Sequence, residues 1–189
     1  ALAANTAAEN TAIGYNAAAA NTSGVRIIAI GKGAYDGSDT ENDNIAIGHE
    51  AMTTNTAGGT LNVAIGNYSL DALTSGDDNT AVGHNALGAN TTGSDNTSIG
   101  FDTMKANTTG ADNVAVGVGS LIANTTASQN TAIGRAALYT NTTGADNVAV
   151  GRYALLANTT GAQNTALGSG ALDANTTANN NTALGFDAL

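Results

Sequence analysis

The chain has no cysteine, no proline and no tryptophan, and its only aromatic residues are five tyrosines and two phenylalanines. Without cysteine it has neither disulfide bridges nor zinc sites built on thiolates, although this does not identify a compartment. Because large side chains are scarce, any core must be thin and filled by alanine, valine, isoleucine and leucine.

Positive charge is also scarce. Lysine and arginine together number 5 against 15 aspartates and glutamates, for a formal net charge of −10. This balance argues against binding of nucleic acid or of an anionic membrane through a basic face. No apolar run approaches the roughly 18 residues of a membrane span, and no basic-then-apolar signal opens the chain. We therefore expect no membrane insertion.

What the chain has instead is a repeat. A version of N-x-A-(I/V/L)-G occurs eleven times, and its closing glycines lie seventeen residues apart at every interval but one, which is eighteen. So strict a period predicts one short unit stacked along an axis. We expect a single array of about eleven 17-residue coils over residues 1–189, and a fragment of a longer fibre because both ends fall within a repeat.

We number positions from the closing glycine, which is position 0. Position −1 is always Ile, Val or Leu, position −2 is Ala except for Ser98, and position −3 is Thr, Val or Ile. This alternation predicts a short strand with both faces covered and position −1 buried. A small-then-large apolar pair at +3 and +4 predicts a second strand or an extended corner, and the N-T-T-G-x-D-N stretch predicts turns.

The repeat therefore predicts an all-β parallel β-solenoid. The alternative is a helix in stretches such as A-A-L-Y-T-N, but six residues without a cap are too few for a stable helix.

Asparagine occupies position −4 in ten of the eleven copies and is replaced only by Ile27. Stacked in register, these amides are expected to form a structural ladder, with a second ladder at position +7. The alanines at −2 indicate close packing against a neighbouring chain or an opposed sheet. The expected ladder residues are Asn96, Asn113, Asn130, Asn147, Asn164 and Asn181, and the expected close-packed residues are Ala64, Ala81, Ala115, Ala132, Ala149 and Ala166.

The recurring N-x-A-I-G string resembles the head repeats of trimeric autotransporter adhesins (YadA-like heads). It is still more similar to the N-T-A-I-G-x-x-A-L-x-x-N-T-T-G arrays of phage tail fibres and related bacterial surface proteins. The resemblance covers essentially the whole chain. It implies a left-handed β-roll assembled as an intertwined or side-by-side homotrimer, located in a virion tail fibre or on a bacterial cell surface, where it acts in adhesion. Adhesin heads usually have repeats shorter than seventeen residues, so the coil here is expected to be larger.

Self-association also follows from the residues. A seventeen-residue coil encloses few apolar side chains, yet positions −3, −2, −1, +3 and +4 are all small or apolar. One narrow column cannot bury them all, so further copies of the chain are the expected partners. The expected function is mechanical, with a stiff spacer or head that projects a receptor-binding tip away from its anchor.

Catalytic chemistry is not indicated. His49 and His84 both occupy position +1 but lie two coils apart, roughly 10 Å in a solenoid, too far for joint metal ligation or a proton relay. Asp78, Asp95 and Asp112 share one position on consecutive coils, which suggests stacked calcium ligands or, more simply, turn residues bonded to their own backbone. No nucleophile, phosphate-loop or zinc motif is present, so we expect no enzyme, no cofactor and no metal.

Position +1 is the one irregular column, and it carries three of the five basic residues and both histidines. Exposed aromatic and basic groups on a rigid rod suit contact with a cell-surface carbohydrate or protein receptor. The plainer alternatives are a solvent-exposed column or contacts between chains. The candidate contact residues are Tyr15, Lys32, His49, His84, Phe101, Arg135, Arg152, Tyr153 and Phe186.

The paired threonines at +8 and +9 suggest a second function. Regular threonine rows on a solenoid face order water in ice-binding proteins, and Thr91 with Thr92 is one of six such pairs. Because these pairs lie between Asn and Gly or Ala, a bend is expected there rather than a flat strand. A thermal hysteresis assay tests this alternative.

Overall fold

The structure is a computed structural model that describes residues 1–3, 5–38, 40–55 and 58–189. Within these ranges it contains eleven three-residue strands and no helix, so no segment there is a helix able to cross a membrane. The strands are β1 (Thr11–Ile13), β2 (Ile28–Ile30), β3 (Ile45–Ile47), β4 (Val63–Ile65), β5 (Thr80–Val82), β6 (Thr97–Ile99), β7 (Val114–Val116), β8 (Thr131–Ile133), β9 (Val148–Val150), β10 (Thr165–Leu167) and β11 (Thr182–Leu184).

All eleven strands form one parallel sheet in sequence order, so each coil of the chain adds one strand beside the last. Equivalent motif positions pair throughout, as Ala132 pairs with Ala149 between β8 and β9. The eighteen-residue interval does not shift this register, because Ile45 still pairs with Val63. The predicted parallel β-solenoid of seventeen-residue coils is thus confirmed.

Outside the strands the coils are built from turns, which are also joined by backbone hydrogen bonds. The amide of Leu87 at +4 donates to Thr103 O at 3.1 Å, and the amide of Thr91 at +8 donates to Thr108 O at 2.9 Å. The pair at +3 and +4 therefore lies in a hydrogen-bonded turn rather than in a second strand. Backbone hydrogen bonds therefore join neighbouring coils at the turns as well as in the sheet.

These turns depend on left-handed backbone conformations at fixed positions. Every residue at +4 in the described chain has positive φ, including Leu87 at 52° and Leu138 at 51°, as do the residues at +2 and −5. Branching at Cβ makes such a conformation costly, and none of these three positions ever carries Val, Ile or Thr. By contrast, positions −3 and −1 carry mostly Val, Ile and Thr.

The conformation at +4 gives a testable consequence. Leu138→Ile keeps the side-chain volume but places a branched Cβ at a φ of 51°, so we expect it to lower the free energy of unfolding by about 2 kcal/mol. Leu138→Met is the matched control, because Met52 and Met104 occupy the same position natively, and should cost less than about 1.5 kcal/mol. Urea unfolding measures both, and equal losses in the two variants would contradict the conformational explanation.

The core runs along the inside of the solenoid. It consists of the alanines at −2 and the small and large residues at +3 and +4, and Ala115, Leu121 and Leu138 are fully buried in it. The strand face that bears −3 and −1 points outward. Position −1 is 40% exposed at Ile99 and at Ile133, so the prediction that this position is buried and that both strand faces are covered is wrong for the single chain. On its sheet side the interior holds only the small side chains of Ala and, once, Ser98, and the larger strand residues lie on the outward side.

Candidate functional site

The asparagines at −4 are buried and joined to one another. Asn113 donates from its backbone N and from Nδ2 to Oδ1 of Asn96, at 3.1 Å each, and its own Oδ1 accepts from Asn130 N at 3.0 Å. Nδ2 of Asn113 also donates to Ala127 O at 3.0 Å. Asn147, Asn164 and Asn181 repeat this pattern. Their polar atoms are thereby satisfied inside the protein, which leaves them a structural part and no free group for a ligand.

The second ladder, at +7, links Asn90 to Asn107 and continues to Asn175. Its amides lie too deep to serve as glycosylation acceptors, since Asn107, Asn124 and Asn141 are fully buried.

Near the N-terminal end the ladder is replaced by a different buried cluster. Ser38 stands at +7 and donates to the Glu41 carboxylate at 2.5 Å, while Asn44 Nδ2 donates to the Tyr35 hydroxyl at 2.9 Å. Burial raises the pKa of Tyr35 to about 12. Burial also opposes the charge on Glu41, but donors from Ser38 and the amides of Thr40 and Gly58 outweigh it and hold the pKa of that carboxyl below its usual value. The polar groups of this cluster hydrogen-bond to one another and to nearby backbone, so the cluster has a structural role.

The six alanines expected to be close-packed are all fully buried. They lie inside the coil with the residues at +4, not on a surface that another chain reaches. Their small size is thus explained within one chain.

The irregular column at +1 lies on the surface next to the sheet, and in its central part His49, His84 and Phe101 form a row of contacting rings together with Tyr68 of position +2. His49 and Tyr68 have ring centroids 5.3 Å apart, Tyr68 and His84 5.8 Å, and His84 and Phe101 5.3 Å. The last pair is stacked, with an interplanar angle of 17°. These rings pack mainly against one another along the rod. The structure does not bring Tyr15, Lys32 or Phe186 into this row, because they lie on coils nearer the ends.

Further along the same surface two arginines converge on one tyrosine. Arg135 Nη1 and Arg152 Nη2 each donate to the Tyr153 hydroxyl at 3.0 Å, and the Arg152 guanidinium lies 4.3 Å from the ring centroid. The Arg152 hydrogen bond and the two positive charges lower the pKa of Tyr153. In the described part of the chain neither arginine forms an ion pair with a carboxylate, whereas Arg26 pairs with Asp43 and Lys105 with Asp102.

A cavity of about 230 Å³ adjoins these arginines. Two of the predicted contact residues, Phe101 and Arg135, line it. Sequence reasoning did not select the lining residues at +2, which are Asp102, Gly119 and Ala136, or Ile122 at +5. The available signal was that Gly119 and Ala136 are two consecutive small residues at +2, whereas Gly33 and Gly170 have larger +2 residues on both neighbouring coils.

Acidic residues form no comparable site. Within the described ranges no three His, Asp or Glu side chains are grouped so as to hold a metal ion. Asp78, Asp95 and Asp112 all have positive φ, between 55° and 58°. Their amides donate to the preceding coil, as Asp95 N does to Asp77 O at 3.1 Å. This is the environment of a turn residue.

The threonines at +8 are committed to the protein. Thr91 Oγ1 donates to Thr108 O at 3.0 Å, and Thr108 Oγ1 donates to Thr125 O at 2.9 Å. The threonines at +9, such as Thr109 and Thr143, are exposed. In five of the six pairs only the threonine at +9 is exposed, whereas Thr176 and Thr177 are both exposed. Ice binding stays a prediction.

The outward face of the sheet runs along all eleven strands. We call it the outer face, and it consists of positions −3 and −1 of β1 to β11. No charged residue occurs at either position in any copy. The face is half-exposed along its length, with Ile65 38% and Leu167 39% exposed.

Comparison with known proteins adds no relative: no protein family model, curated protein or solved structure matches the chain.

Proposed function

We propose that the chain is a structural segment of an extracellular fibre, a stiff spacer of three side-by-side copies that projects a receptor-binding tip. The setting is a phage tail fibre or a bacterial surface adhesin, as the sequence resemblance implies. The observation that carries the proposal is the outer face, an uncharged strip with a continuous column of Ile, Val and Leu at −1 beside Val, Ile and Thr at −3, which is left half-exposed along the rod.

Stiffness is supported by the bonding between coils. Parallel strands, turn-to-turn backbone bonds and two asparagine ladders all run along the axis. With a spacing of about 4.8 Å per coil, the ten steps between eleven strands span about 48 Å. Bending such a rod requires breaking several ladders at once, which suits a spacer.

Association is supported by the outer face. Soluble single chains rarely expose so long an apolar strip, and such strips usually mark contact surfaces. Another copy of this chain is the occupant that matches it best, because both strips are uncharged, share one coil spacing and are equally long. The number three rests on the resemblance to adhesin heads and tail-fibre arrays.

The assembly test places charge on the outer face. We expect the wild-type chain to have three times the monomer mass by light scattering, and the double variant Ile99→Lys with Ile133→Lys to be monomeric. A lysine buried between chains loses its hydration, at a cost of several kcal/mol per ion. The added positive charge also reduces the overall repulsion between chains of net charge −10, so general repulsion cannot explain a loss of assembly.

Leu61→Lys is the matched control. Leu61 is a 54% exposed apolar residue away from the outer face, at position −5, and Arg26 occupies that position natively. It should leave the trimer mass unchanged. A wild-type chain that is monomeric at micromolar concentration, or that shows thermal hysteresis as a monomer, would overturn the proposal.

A further inference from the structure

The cavity beside β6, β7 and β8 exists because the side chains that fill the same place in other coils are missing. Position +2 carries Tyr68 and Tyr153 elsewhere, but here it carries Gly119 followed by Ala136. The Tyr139 ring leans over the gap, since a Cβ built on Gly119 would lie 3.4 Å from Tyr139 Cε2. The result is a concave surface of about 230 Å³ with one chain supplying every wall.

Its lining combines two kinds of chemistry. Phe101, Val118 and Tyr139 are 53%, 52% and 42% exposed, so apolar and aromatic surface is open to a ligand. Arg135 and Asp102 add one positively and one negatively charged side chain to the lining. A small, mostly apolar hollow with a few convergent polar groups is the usual form of a small-molecule site.

The charges near this hollow are unbalanced. Arg135 and Arg152 share one neutral phenol hydroxyl as their acceptor and have no carboxylate partner in the described part of a chain that is strongly acidic overall. Two guanidinium groups held this close repel each other, and an anion placed beside them would relieve that repulsion. Guanidinium binds carboxylates with two parallel hydrogen bonds.

We propose that this cavity binds a six-membered sugar ring that carries a carboxylate, as in uronic and sialic acids. The ring packs against Phe101 and Tyr139, its carboxylate accepts hydrogen bonds from Arg135, and a hydroxyl donates to Asp102. An acidic peptide suits the site less well, because the hollow is the size of one small ring. The site lies within one chain, so it does not depend on the number of copies in the fibre.

The binding test uses the full 189-residue chain with sodium glucuronate and N-acetylneuraminate as separate probes. Titration followed by NMR should give dissociation constants on the order of 1 mM for at least one acid. Methyl glucoside, which lacks the carboxylate, should bind at least about tenfold more weakly, since it cannot accept the charge-assisted hydrogen bonds from Arg135. The acid that binds more tightly identifies the sugar class.

Two variants locate the site. Gly119→Asn fills the hollow and should abolish binding while the chain stays folded, because Asn16 and Asn85 occupy the same position with φ of 57° and 60°. Arg135→Gln should weaken binding about tenfold, the effect of removing a charged donor. Gly33→Asn and Lys32→Gln are the matched controls at positions +2 and +1 of a distant coil, and both should bind like the wild type.

Three results would overturn the assignment. The first is no detectable binding of either acid by the wild-type chain at 20 times the expected dissociation constant, about 20 mM. The second is unchanged binding in Gly119→Asn. The third is binding to another class of ligand. Acetate that binds as tightly as the sugar acids would assign the arginines to simple anions, and a hexaglutamate peptide that binds tightly where the sugars do not would assign them to acidic proteins.

Discussion

Gly134→Ala is expected to destabilise the rod strongly, because it adds a methyl group where the strand ends. Gly134 has a φ of 130°, a conformation that residues with a Cβ rarely adopt, and the added Cβ would lie 2.6 Å from the carbonyl carbon and oxygen of Gly151. These are backbone atoms, held in place by the ladders of the next coil. Combining backbone strain with overpacking, we expect the free energy of unfolding to fall by about 4 kcal/mol, measured by urea denaturation.

Gly144→Ala is the control that separates conformation from crowding. A Cβ on Gly144 would lie 2.2 Å from Gly161 O, so crowding alone predicts a similar loss. However, Gly144 is at position +10, where Ala127 occurs natively and is buried, and its φ is not positive. Small coil movements accommodate the methyl group there, and we expect a loss of about 1 kcal/mol or less. Equal losses in the two variants would show that the left-handed conformation at position 0 is not the limiting factor.

The fold was accessible from the sequence because the period fixes both the unit and its stacking. When every coil has the same length, equivalent residues align in columns, and a parallel in-register sheet follows from the strand motif alone. The asparagines at −4 strengthened this inference, because a polar side chain repeated at one buried position must find partners among its own copies. The structure places Asn96 and Asn113 in such contact.

Which face of the strand points inward could not be predicted from the sequence in the same way. A three-residue strand with apolar residues on both faces gives no amphipathic signal, and the larger residue at −1 suggested burial. The more informative constraint was that position −2 carries only Ala or Ser, since only a small side chain fits between the sheet and residues such as Leu121 or Leu155 in so narrow an interior. The absence of β-branched side chains at +4 likewise indicated a left-handed turn rather than a second strand.

From the sequence, the candidate binding surface could be predicted only through the large side chains that it contains, and not through the places where a side chain is missing. Aromatic and basic residues at +1 stood out, and Phe101 and Arg135 do line a cavity. The hollow itself depends on the missing side chain at Gly119. Its depth also depends on how the Tyr139 ring leans across a neighbouring coil, and no column in the sequence indicates that direction.

Ala149→Leu is the second variant with a large expected effect, and it tests where position −2 lies. The Ala149 side chain is fully buried inside the coil, on the same side of the strand as Leu155. Three additional carbon atoms cannot enter without forcing the turn at +4 outward and breaking its bonds to the next coil. We expect a loss of about 3 kcal/mol in the free energy of unfolding, observed in urea denaturation.

Val150→Leu is the matched control on the opposite face of the same strand. Position −1 already carries Leu167 and Leu184, and it faces outward, so its effect on a single chain should stay within about 0.5 kcal/mol. Both substitutions should be repeated in the Ile99→Lys, Ile133→Lys background, where assembly is expected to be absent. If alanine is required at −2 by the interior of the coil, Ala149→Leu destabilises that monomer as strongly as it destabilises the assembly. If neighbouring chains require alanine at −2, Ala149→Leu leaves the stability of the monomer unchanged, because an uncovered surface has room for a larger side chain. The substitution then lowers only the assembled mass of the chain that lacks the two lysine substitutions.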